Sequence, residues 1–243
     1  MFSSSDQVVG DALRSICGDL LPFIDATFRQ LGFSTNDGVR FFRRKGHLLH
    51  YFKLVIKSLR QGDDGARTDG NHIGFHFGEA LDLAPGLLIG RGKTEAAVVA
   101  PSTGVYPITK SSHFPKASRS LCTALQDIDQ YRWTQIQSEN EYVDFHLRCA
   151  PSMEKVYLLT AQEKHDEANA WLRLLVHDSR ALRAASSNDN TERFDICKDP
   201  PGEAEATFSL LSLPQRVRVV EAGTWKNIER NDLGFLYETS SAA

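Results

Sequence analysis

The hydrophobic periodicity of this chain changes at Gly32, and that change determines its first elements. Before Gly32, apolar side chains recur at three- and four-residue steps from Val9 to Leu31, as they do along one face of a helix. After it, residues 39–45 form a strand-like run, and residues 48–59 alternate as a half-buried strand does. The sequence therefore predicts a long N-terminal helix that leads into a pair of strands.

Pro22 lies inside the helical run and predicts a break in it. Proline lacks the N–H that an interior helical residue donates, and its ring clashes with the preceding turn. We expect a break or a kink near Gly18 and Asp19, with Asp19 able to cap the second piece of the helix.

The central part of the chain predicts further strands separated by loops. We expect a strand at 72–78, an irregular Gly- and Pro-rich segment at 80–118 with a short strand at 96–100, and a short helix at 121–128. Residues 131–137 and 142–149 predict a β-hairpin around 138–141, and residues 155–159 predict another strand.

The C-terminal third of the chain predicts helices. Thr160 and Glu163 fit a capping box that would open a helix running to about residue 185. Ser212 and Gln215 fit a second capping box. The helix after it is expected to end at Gly223, although the alternation of valines just before that glycine leaves a strand as the alternative.

The order of these elements indicates the α+β class, because runs of strands are followed by runs of helices. We expect a mostly antiparallel sheet flanked by an N-terminal helix and a helical C-terminal third. Residues 1–185 would form the α+β domain. Residues 186–243 would form a helical extension packed on it, unless the whole chain is one single domain.

The composition is that of a globular protein. Apolar residues make up 41% of the chain and charged residues 24%, which excludes wholesale disorder. No apolar run approaches the roughly 18 residues that cross a bilayer, so no membrane association is expected. The first residues lack the pattern of a secretory signal, which favours a cytoplasmic location. The four cysteines are far apart in the sequence, which predicts reduced and mostly buried thiols.

Positive charge is concentrated between Arg29 and Arg60. This segment holds eight Lys or Arg residues and one acidic residue, a local charge of +7 in a chain whose net charge is −3. The sequence favours a non-catalytic interaction or accessory protein that docks an acidic partner protein through this surface. The competing interpretation is an ordinary solvated surface, or one whose charges are paired within the fold. The predicted partner-binding residues are Arg40, Arg43, Arg44, Lys45, Lys53 and Lys57.

Two other functions remain open. The basic residues are interleaved with aromatic residues, which is typical of nucleic-acid-binding surfaces, although the negative net charge opposes general affinity for nucleic acid. Asp144 and His146 would share one face of the predicted strand at 142–149. They could then act as an acid–base pair in a hydrolase, together with His72 and His76 if those strands are neighbours.

No metal or cofactor is predicted. Residues 86–94 resemble a phosphate-binding loop but contain one residue too many between the first glycine and the Gly-Lys-Thr triplet. Asp63, Asp64 and Asp69 lack the alternating spacing of a calcium-binding loop. His72 and His76 would lie about 13 Å apart along a strand, too far to share one ion comfortably.

The first part of the chain resembles a known group of domains. An amphipathic helix is followed by Leu31-Gly32-Phe33, by Phe41-Phe42-Arg43-Arg44-Lys45-Gly46 and by an alternating strand. This order is similar to the opening of a group of bacterial domains of unknown function, over about the first 80 residues. The resemblance implies a bacterial, cytoplasmic α+β domain, and it implies no activity and no site residue.

Overall fold

A computed structural model of the chain describes residues 4–58, 71–83, 95–98, 111–146, 152–186 and 203–238. The chain divides into two compact units. The first contains residues 1–80, 88–137 and 234–243, and the second contains residues 81–87 and 138–233. This division differs from the boundary at residue 185 that the sequence suggested. Within the described part, no helix combines the length and the apolar character needed to cross a bilayer.

The first unit is built on a sheet, and with the helices it confirms the predicted α+β class. The sheet has four strands in the order β1-β2-β3-β4, with β1 antiparallel to β2 and β3 antiparallel to β4. A short 3-10 helix, Trp133–Gln135, follows α2. The elements of this unit are α1 (Ser4–Gln30), β1 (Arg40–Lys45), β2 (Leu48–Ser58), β3 (Asn71–Leu81), β4 (Glu95–Val98), α2 (Phe114–Tyr131) and α8 (Phe235–Glu238).

Helix α1 is continuous from Ser4 to Gln30, so of the predicted break or kink near Gly18 and Asp19 the break is wrong, and Asp19 caps no second helix. Pro22 lies inside the helix, and both Pro22 and Gly18 are exposed. Pro22 has no N–H, so the carbonyl of Gly18 lacks its usual helical partner. Because both residues are exposed, this carbonyl lies on the side of the helix that water can reach. Apolar side chains are buried before and after the proline, and their packing keeps the chain helical across it.

Gly32 ends α1 as the sequence predicted. Its φ is +80°, a left-handed conformation that glycine adopts readily. The amide of Gly32 donates to the carbonyl of Arg29, and the amide of Phe33 donates to the carbonyl of Phe28, both at 2.9 Å. The rings of Phe28 and Phe33 also meet, with centroids 6.2 Å apart. This is a Schellman cap with its hydrophobic contact, and it turns the chain toward β1.

The core of the first unit lies between the sheet and the layer formed by α1 and α2. Phe28 of α1 contacts Phe41 of β1 and Phe52 of β2, with ring centroids 4.2 and 5.3 Å apart. Trp133 is fully buried beside these rings. The opposite face of the sheet carries Phe42, which is buried and contacts Phe235 of α8.

The second unit is helical. Its helices are α3 (Glu139–His146), α4 (Met153–Ala161), α5 (His165–Ser186), α6 (Glu203–Leu210) and α7 (Leu213–Arg230). Ser212 and Gln215 form the predicted capping box at the start of α7, which confirms that prediction. The helix does not end at Gly223, because its buried stripe continues through Thr224 and Ile228 and keeps the chain helical to Arg230.

The predicted hairpin at 131–137 and 142–149 is wrong. Residues up to Tyr131 belong to α2, and residues 139–146 form α3. The segment interpreted as the hairpin turn is a helix cap, since the hydroxyl of Ser138 accepts from the amide of Glu141 at 3.3 Å and donates to its carboxylate at 3.1 Å. Residues 147–149 lie outside the described part.

Two further predictions near α4 are wrong for related reasons. Residues 155–159 are helical, because Ser152 caps α4 by accepting from the amide of Glu154 at 3.2 Å. Thr160 does not open α5, because its hydroxyl donates to the carbonyl of Val156 inside α4. Glu163 lies in the turn between the two helices with φ 59°, and α5 begins at His165.

Candidate functional site

The six basic residues predicted as a partner-binding surface do not share one face of the sheet. Alternation along β1 and β2 places Arg43 and Lys45 on the face packed against α1 and α2. It places Arg40, Arg44 and Lys53 on the opposite face. Lys57 is in β2, and its side chain lies outside the described residues.

Arg43 is held inside the first unit by polar contacts in several directions. Its guanidinium forms an ion pair with Asp129 of α2 at 2.7 Å, and the side chain is 11% exposed. It also donates to the carbonyl of Leu31 at 3.0 Å, at the end of α1. A third contact joins Nη2 to Nδ1 of His50 at 2.9 Å. Arg43 therefore ties three elements together and is not presented to a partner.

Aromatic rings complete the surroundings of Arg43. Its guanidinium carbon lies 4.9 Å from the ring centroid of Phe33 and 5.5 Å from that of Trp133, within the range of cation–π attraction. Trp133 in turn stacks on His50, with ring centroids 5.1 Å apart and planes 8° apart. The cation, the indole and the imidazole form one buried cluster between the sheet and α2.

His50 is neutral in this cluster at physiological pH. Its Nε2 bonds to the carbonyl of Ile136 at 2.7 Å, so Nε2 carries the proton and Nδ1 accepts from Arg43. Burial lowers the pKa of His50 to about 4, and the positive charge of Arg43 adds to the lowering. The carbonyl of Ile136 opposes both effects only in part. This imidazole is thus a structural group and is unsuited to titrate near pH 7.

Two more polar pairs line the same side of the sheet. The ammonium of Lys45 donates to the side-chain carbonyl of Gln137. Glu79 of β3, whose side chain is 1% exposed, pairs with Nε of Arg132 at 3.1 Å. The basic residues on this face are therefore matched by carboxylates, carbonyls and rings of the same unit.

The opposite face brings two cations directly across from each other. Arg40 of β1 and Lys53 of β2 are cross-strand neighbours in the register. Arg40 pairs with Asp37 through Nε and Oδ2 at 2.7 Å. Asp37 is partly buried, which alone would raise the pKa of its carboxyl, but hydrogen bonds from Arg40 and Val39 outweigh burial and lower that pKa. Two cations are thus neighbours on this face, and Asp37 is paired with one of them.

Arg44 lies on the same face as Arg40. Its guanidinium carbon is 3.9 Å from the ring centroid of Tyr237 in α8, a close cation–π contact. Phe42 and Tyr51 also belong to this face, and both are buried, with 1% and 4% exposure. The aromatic residues that alternate with the basic ones are therefore part of the fold and are not displayed to solvent.

The predicted acid–base pair of Asp144 and His146 is not formed. Both residues are in helix α3, where side chains two positions apart point in different directions. Asp144 is exposed, while the ring of His146 contacts that of Tyr142 with centroids 4.8 Å apart. His76 is in β3, and the side chain of His72 lies outside the described residues. The strand face on which the hydrolase hypothesis depends does not exist.

Several other sequence motifs fall outside the described part of the chain. They include the phosphate-loop-like segment 86–94 and the aspartates at 63, 64 and 69. Among the residues that are described, no three His, Cys, Asp or Glu side chains lie close enough together to hold a metal ion.

Sequence reasoning missed the residues that surround Arg43. Asp129 and Trp133 lie about 80 to 90 positions along the chain from β1 and reach it only through tertiary packing. The negative charges of Asp127 and Asp129, two residues apart near the end of α2, are the local signal that could have indicated a partner for the arginines.

Comparison with known proteins adds no family to these observations. We find no matching protein-family model, and no curated protein or solved structure is similar enough to this chain to be matched.

Proposed function

We propose that this protein is a non-catalytic interaction protein that docks an acidic partner through the partly exposed residues Arg40, Arg44 and Lys53, on the face of the sheet against which α8 also packs. The observation that carries the proposal is the alignment of Arg40 directly across from Lys53. Like charges in cross-strand positions destabilise a sheet by a few tenths of a kcal/mol up to about 1 kcal/mol. Asp37 already pairs with Arg40, so a carboxylate from a partner would chiefly compensate the charge of Lys53.

The proposal revises the predicted binding set. Arg43 and Lys45 are engaged with Asp129 and Gln137 on the other face, and we assign them to the stability of the fold. Lys57 stays a predicted member of the binding set. A bacterial and cytoplasmic setting remains part of the same proposal, on the resemblance of the first 80 residues.

Nucleic acid is the alternative ligand for this face. Phosphates would be attracted to the same cations, but base stacking needs exposed rings, and Phe42 and Tyr51 are buried. Single-stranded nucleic acid would therefore contact the cations of this face but find, among the described residues, no exposed rings on which its bases could stack. This favours an acidic protein as the partner.

Capture from native lysate with the tagged full-length protein tests this choice. The capture is run with and without nuclease and at two salt concentrations, and bound protein and nucleic acid are both quantified. We expect a stoichiometric acidic protein that survives nuclease and is released by salt, because exposed charge pairs are screened within about 10 Å at 0.1 M salt. Recovery of nucleic acid alone, or of proteins that nuclease removes, would favour the alternative.

A further inference from the structure

A cavity of about 480 Å³ opens among helices α5, α6 and α7 of the helical unit. Leu172 and Val176 form its apolar side, and Asn169, Arg173 and Arg216 contribute polar groups. A volume of this size is in the range of small-molecule sites, which usually combine an apolar lining with a few placed polar groups.

Helix α5 supplies two adjacent rows of side chains to this cavity. Asn169, Arg173 and His177 are four residues apart, so they lie along one edge of the helix. Leu172 and Val176 have the same spacing and form the neighbouring row. A ligand along α5 would therefore meet polar groups on one side and apolar groups on the other.

Arg216 of α7 is fixed in position at the wall of the cavity. Its Nε donates to the carbonyl of Leu211 at 3.0 Å, and Nη2 donates to the carbonyl of Ser209 at 2.8 Å. Its Nη1 donates to Oδ1 of Asn169. The guanidinium also lies over the ring of Phe208, 5.6 Å from the centroid. These contacts hold the group in one orientation before any ligand binds.

The contacts of Arg216 leave donors for a ligand. A guanidinium has five N–H groups, and the three bonds above use one on each nitrogen. One N–H remains on each terminal nitrogen, the number that a two-oxygen contact with a carboxylate or phosphate needs. Asn169 uses its carbonyl oxygen for Arg216, so its amide N–H groups can also donate.

Arg173 adds a second positive charge to the cavity. It is exposed, and it forms no ion pair with any residue that the structure describes. None of the lining residues whose side chains the structure describes is acidic. The described lining thus carries two arginines and no carboxylate.

We propose that this cavity binds a small organic anion, namely a carboxylate or a phosphate monoester attached to a short apolar group. The oxyanion binds between Arg216 and Arg173, and the apolar group packs on Leu172 and Val176. This site is separate from the docking face of the sheet, and neither proposal depends on the other.

Calorimetric titration of the full-length protein tests the proposal with three probes of equal chain length. Hexanoate and hexyl phosphate carry the two anionic groups, and 1-hexanol is the neutral control. We expect at least one anion to bind with a dissociation constant on the order of 1 mM, which is ordinary for so small a ligand, and hexanol to bind much more weakly. The stronger of the two anions identifies the oxyanion that the site prefers.

Two variants separate this site from nonspecific attraction. Arg173→Gln should weaken binding about tenfold, as expected for a lost hydrogen bond to a charged group. Arg218→Gln is the matched control, because Arg218 is also an exposed arginine of this unit and does not line the cavity. Equal effects of the two variants, binding of hexanol as tight as that of the anions, or no binding of either anion at about 10 mM would overturn the proposal. Inorganic phosphate that binds as tightly as hexyl phosphate would contradict the role of the apolar side.

Discussion

The imidazole of His50 stacks on the indole of Trp133, with ring centroids 5.1 Å apart and planes within 8° of parallel. The two residues come from β2 and from the 3-10 helix after α2. Arg43 bonds to the imidazole and lies over the indole, so one buried contact joins the sheet to the helical layer. This relationship explains why Arg43, although it lies in the basic segment, serves the fold.

The first prediction concerns the pH dependence of stability. His50 has a pKa of about 4 in the folded protein and about 6.5 when unfolded, so between these values the unfolded state binds more protons. The free energy of unfolding should therefore fall by about 3 kcal/mol as the pH drops from 6.5 to 4. Urea unfolding at several pH values measures this change.

The variant His50→Asn isolates the contribution of this histidine. This variant lacks the titrating imidazole. Its free energy of unfolding should therefore change less between pH 6.5 and pH 4 than that of the unmodified protein. Parallel pH profiles for the two proteins would show that His50 is not the group responsible.

The second prediction concerns Arg43. Replacing it with lysine keeps the charge but loses the fork geometry that reaches Asp129, His50 and the carbonyl of Leu31 together. We expect Arg43→Lys to lower the free energy of unfolding by about 2 kcal/mol or more. Arg29→Lys is the control, because Arg29 is 75% exposed and its pair with Asp25 should contribute little. Equal stabilities for the two variants would contradict the assignment of Arg43 to the fold.

The third prediction concerns Gly78 in β3. A β-carbon at this position would lie 2.7 Å from the hydroxyl oxygen of Tyr51 and 3.0 Å from its ring. Tyr51 is buried and has little room to move, so Gly78→Ala should destabilise the fold by about 1–3 kcal/mol. Chemical denaturation measures the difference.

Two comparisons test the cause of that effect. Gly18→Ala should be neutral or stabilising by up to about 1 kcal/mol, since nothing lies within 4 Å of its added β-carbon in α1. Adding Tyr51→Phe to Gly78→Ala should recover part of the loss, because it removes the nearest atom. A Gly78→Ala protein as stable as the Gly18→Ala protein would rule out the clash.

Much of the first unit could be predicted from sequence because its signals are local. The helical stripe before Gly32, the left-handed cap at Gly32 and the alternation of β2 each depend on neighbouring residues. The capping box of Ser212 and Gln215 was visible for the same reason. These elements could be predicted because the residue propensities, the capping residues and the hydrophobic periodicity of each segment all indicate the same secondary structure.

The region around α3 and α4 could not be predicted in the same way. The polar and apolar residues of α3 alternate in a period of two, yet capping by Ser138 and burial of Tyr142 and Val143 favour a helix. Short apolar runs such as that of α4 fit strand and helix equally well. The choice between them depends on tertiary packing, which a local pattern does not contain.

The two faces of the basic segment could not be separated from the sequence, because charge counts do not record on which side of a strand a residue lies. Strand alternation separates Arg43 from Arg44, although the two are adjacent in sequence. The partners of Arg43 come from distant segments. The sequence therefore shows the high density of positive charge. It does not show which basic residues pack inside the fold and which lie on its surface.

The most direct test of the proposed docking face is the substitution Lys53→Glu, measured by titration against the acidic protein captured from lysate. It replaces a like-charge neighbour of Arg40 with an opposite charge, so the fold should keep its stability or gain up to about 1 kcal/mol. Binding of the acidic partner should weaken about tenfold or more, because a favourable charge becomes a repulsive one. Lys226 is an exposed lysine of α7, and Lys226→Glu causes the same change in net charge. This control variant should bind the acidic partner nearly as tightly as the unmodified protein does. A Lys53→Glu protein that binds as tightly as the Lys226→Glu protein would contradict the central claim.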